Sequence, residues 1–119
     1  MTRLFTTLTI MLISFTVSAL ECTGINEWIE ATSSGEQTHV DQVELQVMVD
    51  DSRILQMSAD LGDTHFFIQG DKLNNKHLLM ITLGPKYEQG VTTLVVWDQE
   101  SEMRMTRVDG TSVYKLKCH

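Results

Sequence analysis

The sequence lacks the short motifs that mark several common classes of enzyme. It has seven glycines but no glycine-rich phosphate loop, no Gly-x-Ser-x-Gly nucleophile turn and no Cys-x-x-Cys pair. Proline occurs once, at Pro85, and cysteine twice. The chain therefore carries no local signature of phosphate-loop nucleotide binding, of a serine nucleophile elbow or of dithiol redox chemistry.

Positive charge is also scarce. The 119 residues include 9 Lys and Arg against 16 Asp and Glu, which gives a formal net charge of −7. The acids are concentrated between residues 20 and 63, where the only base is Arg53. Because binding to phosphates depends on Lys and Arg, this composition argues against nucleic acid and against anionic membrane surfaces as partners.

The first 19 residues have the pattern of a secretory signal peptide. Arg3 supplies a short positive region, residues 4–17 are mostly apolar and uncharged, and Val17-Ser18-Ala19 offers small residues for cleavage. The alternative is an uncleaved membrane anchor, although the run is at the lower limit of length for a span. We expect a protein secreted through the Sec pathway to the periplasm or the medium. Residues 20–119 would then form one domain with no further membrane span.

Two cysteines, Cys22 and Cys118, remain near the two ends of that domain. An even number of cysteines in a secreted chain predicts a disulfide. Such a bond requires the two Cα atoms to lie within about 7 Å of each other, so the ends of the domain should be neighbours. The alternative is a pair of free thiols that bind a metal.

Hydrophobic periodicity in residues 20–119 is mostly two, which indicates strands rather than helices. Val40–Val49 is the clearest strand, because Val43, Leu45, Val47 and Val49 share one face. An Asp-Gly pair, Asp109-Gly110, predicts a tight hairpin between the last two strands. The predicted strands are 26–32 (or a short helix over Glu27–Glu30), 40–49, 53–59, 64–69, 78–83, 91–97, 103–108 and 112–118. The fold class is therefore all-β: a small antiparallel barrel or sandwich of about eight short strands, with its ends joined by the disulfide.

We expect residues 78–97 to form the central hairpin of the domain. This hairpin is unusual because its runs Leu78–Leu83 and Leu94–Trp97 are apolar at every position except Thr82. A strand of a half-solvated sheet should have one polar face. Either the fold buries both faces, or one face forms an exposed patch or pocket that a ligand fills. We therefore expect a non-enzymatic binding module for a protein partner or a small apolar ligand, without a cofactor. The candidate binding residues are Leu79, Met80, Ile81, Val95, Val96 and Trp97.

Two alternative functions come from other residues. Met103 and Met105 point the same way on one strand and follow Trp97, and paired thioethers suit a soft ion such as Cu(I) or Ag(I). This arrangement is similar to the tryptophan-methionine-methionine site of small periplasmic copper and silver chaperones, which implies a soft-metal carrier. The structural alternative is that both methionines fill the core.

The second alternative is a small hydrolase that would use histidines. His39, His65, His77 and His119 are the four histidines of the chain, and none has a second histidine at a metal-ligand spacing. His65 follows Asp63 by two residues, which would place both side chains on one face if the strand were continuous. A surface or hydrogen-bonded histidine explains the same pattern without catalysis.

Overall fold

The computed structural model describes residues 20–84 and 89–119 of the chain. The predicted signal peptide, residues 1–19, lies outside the described residues. The described part consists of nine strands: β1 (Cys22–Thr32), β2 (Gly35–Glu44), β3 (Gln46–Asp50), β4 (Ile54–Leu61), β5 (Thr64–Asp71), β6 (Lys76–Leu83), β7 (Gln89–Val96), β8 (Met103–Asp109) and β9 (Ser112–Cys118). Within these residues no helix is long and apolar enough to cross a membrane.

The strands form two antiparallel sheets that pack on each other as a sandwich rather than a closed barrel. The four-stranded sheet has the order β2-β1-β9-β8, and the five-stranded sheet has the order β3-β4-β5-β6-β7. The predicted all-β fold class is confirmed. Glu27–Glu30, for which a short helix was the alternative, belongs to β1.

One predicted strand, Val40–Val49, is divided between the two sheets. It is interrupted at Leu45, whose side chain enters the core and whose N–H donates to the carbonyl of Cys22 at 3.0 Å. The prediction of one buried face is wrong for β3, because Val47 is 56% exposed and Val49 is 38% exposed. This strand lies at the edge of its sheet, and its register shifts between these two valines.

The core lies between the sheets and contains side chains from both. Phe66, Ile68, Leu79 and Ile81 of the five-stranded sheet and Leu116 of the other are fully buried. The sheets approach closely at one glycine of β1: a Cβ placed on Gly24 would lie 2.4 Å from the nearest ring carbon of Phe66. The absence of a side chain at that position leaves room for the ring.

The predicted disulfide between Cys22 and Cys118 is confirmed. The two residues are directly opposite each other on β1 and β9, with a Cα–Cα distance of 4.1 Å. Beyond the bond, the backbones of Glu21 and His119 exchange two hydrogen bonds of 2.8 and 2.9 Å. The two ends of the domain are therefore neighbours, as the bond requires.

The two predicted hairpins also form. At the last one, Asp109 pairs with Ser112, so the turn residues are Gly110 and Thr111, and Gly110 has a φ of 62°. The apolar hairpin becomes β6 and β7, which pair over eight residues. Its expected central position is wrong: β7 is the last strand of the five-stranded sheet, and among the described strands it pairs only with β6.

Candidate functional site

The outer face of the five-stranded sheet, the face turned away from the core, carries apolar side chains. Along β6 the side chains alternate, so that Leu79 and Ile81 enter the core while Leu78 and Met80 lie on the outer face. The register places Leu94 of β7 opposite Leu78. The run that is apolar on both faces therefore supplies the core with one face and the outer surface with the other.

We name this surface the outer strip and define it by the six apolar side chains of β4, β5, β6 and β7 that the register places on that face. Leu94 is 65% exposed, Val96 is 70% exposed and Ile54 is 40% exposed. The other members are half-buried. The complete set is Ile54, Phe67, Leu78, Met80, Leu94 and Val96. Exposed apolar side chains that are grouped on one face make that face a candidate interaction site.

A cleft of about 690 Å³ opens at one end of the outer strip. Its apolar lining comes from strip residues on β4, β6 and β7, and its polar lining comes from the turn before β4 and the ends of β5 and β6. The lining residues are Asp51, Ser52, Arg53, Ile54, Gln69, Gly70, Asp71, Lys76, Leu78 and Leu94. The cleft therefore combines an apolar floor with a charged rim.

The two acids of this rim are engaged by their own turns. The carboxylate of Asp51 accepts hydrogen bonds from the backbone N–H groups of Ile54 and Arg53, both at 2.8 Å, and these bonds lower its pKa below the usual value. The carboxylate of Asp71 accepts from the side-chain amide of Asn74 and the N–H of Leu73, which lower its pKa in the same order. Both acids therefore stabilise the turns that shape the cleft.

The two cations of the rim, Arg53 and Lys76, have no close partner of opposite charge among the described residues. Among residues 20–84 and 89–119, neither makes an ion pair within 4 Å, whereas the neighbouring Lys72 is paired with Asp50. Arg53 contributes to the lowered pKa values of Asp51 and Asp71 from beyond that distance, so both cations lie at the rim of the apolar cleft without a close ion pair in the described part of the chain. This is the combination that an acidic group next to an apolar side chain would complement.

The structure does not bring the six predicted binding residues together on one surface. Leu79 and Ile81 are fully buried in the core, whereas Met80 and Val96 belong to the outer strip. Val95 and Trp97 are half-buried and pack against the core. The ring N–H of Trp97 donates to the carbonyl of Ser101 at 2.7 Å. Only part of the predicted set is therefore accessible to a partner.

The predicted set of binding residues omits six residues of this surface, namely Ile54, Phe67, Leu78 and Leu94 of the outer strip and the two rim cations Arg53 and Lys76. Leu94 lies within the apolar run of β7, and its position opposite Leu78 was the signal that could have included it. Ile54, Arg53 and Lys76 had no such signal, because they reach the cleft only through the pairing of β4 with β5 and of β5 with β6.

The methionines of the soft-metal alternative lie in the core. Met103 and Met105 are almost fully buried and belong to the same apolar cluster as Leu116, which is opposite Met105 on β9. Flexible thioether side chains fill irregular space in cores well. Packing accounts for both residues without a metal, so the soft-metal function stays a prediction that the contacts do not favour.

The histidines are separated. His65 does not pair with Asp63, as the sequence suggested, but with Asp60, which is opposite it on β4; the Nδ1–Oδ1 distance is 2.7 Å. His39 contacts Glu30 at 2.7 Å and stacks on Trp28 in the other sheet. His77 faces the core, on the side of the sheet opposite to His65.

Within the described residues His39, His65 and His77 do not share a site, so the small hydrolase stays a prediction that these contacts do not favour. The described residues contain no group of three or more His, Cys, Asp and Glu side chains that could hold a metal ion. His39 contacts Glu30 and Trp28, His65 contacts Asp60, and His77 packs edge-on against Trp97, so the three rings have different neighbours.

No protein-family model, no curated protein and no solved structure matches the chain. The functional conclusion therefore depends on the geometry of the outer strip and its cleft.

Proposed function

We propose that this domain is a non-enzymatic, secreted binding module whose outer strip and cleft take a segment of a protein partner. The contacting segment would carry apolar side chains flanked by acidic ones. The observation that carries this proposal is the exposure of Leu94 and Val96 on a strand whose neighbours on the same face, Leu78 and Met80, are also apolar.

The apolar surface supplies a driving force for binding. Fully burying a Val or Leu side chain stabilises a complex by about 1.5–3 kcal/mol. Leu94 and Val96 still expose about two-thirds of their surface, so their burial would contribute about 1–2 kcal/mol each. This free energy is comparable to that of the leading contacts of a modest protein interface.

The shape of the site favours a protein over a small ligand. Pockets for small molecules enclose about 70–90% of the ligand surface. Here the apolar side chains stand on the outer face of a sheet, and three of them are exposed to solvent. An extended segment that lies across the sheet would cover these side chains, whereas a small molecule would remain largely in water.

The charges of the rim favour an acidic partner segment. Arg53 and Lys76 are without ion pairs among the described residues, while Asp51 and Asp71 already accept hydrogen bonds from their own turns. Exposed pairs contribute little affinity, about 0.2–1 kcal/mol each, but they select the charge of the partner and orient it.

Secretion is part of the same proposal. The confirmed Cys22–Cys118 bond supports an oxidising compartment, since disulfides are rare in the cytosol. The signal peptide over residues 1–19 stays a prediction.

A random peptide library displayed on phage and selected on the immobilised oxidised protein tests the proposal. We expect enrichment of peptides that combine apolar residues with Asp or Glu, and loss of their binding to Leu94→Asp. Val108→Asp is the matched control, because Val108 is 67% exposed on β8, an edge strand of the other sheet. It should leave binding unchanged.

A second variant tests the role of the two rim cations. The double variant Arg53→Glu/Lys76→Glu should select peptides with basic instead of acidic flanks. Failure to enrich any peptide, or equal binding to Leu94→Asp, would overturn the proposal. An apolar dye that binds the wild type and not Leu94→Asp, without any peptide enrichment, would show that the occupant is a small apolar ligand instead.

A further inference from the structure

The four edge strands of the described sheets differ in how they are protected against pairing. An unprotected edge presents a row of free N–H and C=O groups, and proteins block such edges with charges, prolines, bulges or short strands. β2 carries three acids and β8 carries two arginines and one aspartate. β3 has five residues and a register shift. Three edges are therefore blocked.

The fourth edge, β7, has none of these features. Its sequence from Gln89 to Val96 is QGVTTLVV, which contains no charged residue and no proline. It pairs with β6 over eight residues without a register shift. At about 3.4 Å per residue the strand is about 27 Å long. It offers a straight, uncharged template for another strand.

We infer that two copies of this protein associate through β7, antiparallel to each other, so that the two five-stranded sheets join into one continuous sheet. The contact uses the backbone edge of the strand and leaves the outer strip open. It is therefore independent of the proposed function of that strip.

Most acids of the chain lie away from β7, so the charge distribution allows a second copy as the occupant. A chain with a net charge of −7 repels its own copy wherever its acids meet. The acid-rich segment, residues 20–63, forms β1 to β4, and β3 and β4 lie at the opposite end of the sheet from β7. Four strand spacings, about 19 Å, separate β3 from β7, which exceeds the screening length of about 8 Å at physiological salt.

The side chains of β7 also suit pairing with themselves. A two-fold axis through Thr93 places Thr92 opposite Leu94 of the second copy and Val91 opposite Val95 of the second copy. The same axis places Thr93 opposite Thr93 of the second copy, and Thr–Thr pairs stabilise antiparallel sheets. Asp98 and Glu100 follow the strand and would lie at the ends of the paired segment. There Asp98 already accepts hydrogen bonds from Glu100 and Ser101.

Sedimentation velocity of the oxidised mature protein, measured from about 5 μM to about 500 μM, tests this inference; the range covers the affinity of small interfaces. We expect a reversible dimer whose fraction rises with concentration. Thr92→Lys adds a charge at an exposed position of β7 and should leave a monomer over the whole range. Thr38→Lys, the same change at an exposed position of the edge strand β2, should dimerise as the wild type does.

Hydrogen exchange supplies the second measurement. Amides of β7 should exchange more slowly at high than at low protein concentration, while those of β2 should not change. A monomer at every concentration, or a dimer that Thr92→Lys leaves intact, would overturn the inference. Neither result would change which peptides bind at the outer strip, so the dimer and the binding module can be refuted independently.

Discussion

Replacement of Gly24 by Ala should destabilise the domain, although alanine normally suits a strand better than glycine. A Cβ at this position would lie 2.4, 2.6 and 2.7 Å from three ring atoms of Phe66. Real Cβ atoms do not approach other carbons so closely, so the ring or the sheet must move. Phe66 is fully buried between the sheets and has no free space into which to retreat.

Two opposing terms set the magnitude. Overpacking of a core by one methyl group costs about 1–3 kcal/mol. The lower backbone entropy of alanine in the unfolded chain returns about 0.4–1 kcal/mol. We therefore expect Gly24→Ala to lower the free energy of unfolding by about 1–2 kcal/mol, which corresponds to a fall in Tm of about 5–15 °C for a domain of this size.

Urea unfolding of the oxidised protein, followed by tryptophan fluorescence, measures this change. The control is Gly90→Ala, where the nearest atom, the Thr82 hydroxyl, is 3.4 Å from the new Cβ. Only the entropy contribution should remain there, a gain in unfolding free energy of about 0.4–1 kcal/mol. Phe66→Leu should remove the clash. The double variant Gly24→Ala/Phe66→Leu should therefore lose about 1 kcal/mol less unfolding free energy than the sum of the losses in the two single variants. If Gly24→Ala matched or exceeded the wild type in stability, the close approach of the sheets at this point would be wrong.

Three further predictions concern other parts of the core. Replacing Cys22 and Cys118 by Ser should lower the unfolding free energy by about 4–5 kcal/mol in the chain-entropy model, because the bond closes a loop with a sequence separation of 96. Thermal unfolding of the variant measures this loss, and an unchanged Tm would contradict the prediction. Burial holds the pKa of His77 below its ordinary value of 6.5. As the pH falls, the unfolded chain therefore binds this proton before the folded protein does. The free energy of unfolding should decrease as the pH drops below about 6.5, and it should level off once the pH is below the pKa of His77 in the folded protein. Urea titrations should show a flatter pH profile for His77→Gln, and an identical profile would refute this role. The double variant Met103→Leu/Met105→Leu conserves core volume and should lower the free energy of unfolding by less than about 1.5 kcal/mol per site. A Cu(I) titration should give the same result for this variant as for the wild type. Loss of Cu(I) binding in the variant would instead support the soft-metal function.

Local sequence patterns predicted the features that depend on neighbouring residues. The alternation of apolar residues identified the strands, and the Asp109-Gly110 pair identified the last hairpin to within one residue. The presence of two cysteines in a chain expected to be secreted predicted the disulfide between the two ends of the domain. Each of these signals is carried by a few adjacent residues or by the covalent chemistry of one pair.

Features that depend on strand order were not predictable in the same way. The alternation through Val43, Leu45 and Val47 continues unbroken while the chain passes from one sheet to the other, so periodicity does not reveal the change at Leu45. Alternation also does not say whether a strand is central or at an edge, which is why β7 was misplaced. The pairing of His65 with Asp60 depends on the register of β4 and β5.

The candidate site illustrates the same division. The sequence indicated that the strands of the apolar hairpin are apolar on both faces, although only one face can be in the core of a half-solvated sheet. The structure shows that the second apolar face lies on the outer surface of the five-stranded sheet. The sequence did not indicate that Arg53 and Lys76 would stand beside Leu94, because three pairings between four strands are needed to bring them there.

The position of the disulfide has a mechanical consequence. Cys22 begins β1 and Cys118 ends β9, and the two residues are adjacent partners in one antiparallel pair. Without the bond, a force that pulled the two chain ends apart would open this pair one hydrogen bond at a time, which is the direction in which a sheet resists least. With the bond, the same force passes through a single covalent link, and the strands between the cysteines bear no load. Reduction would therefore convert a domain that is inextensible between its ends into one that unzips under tension.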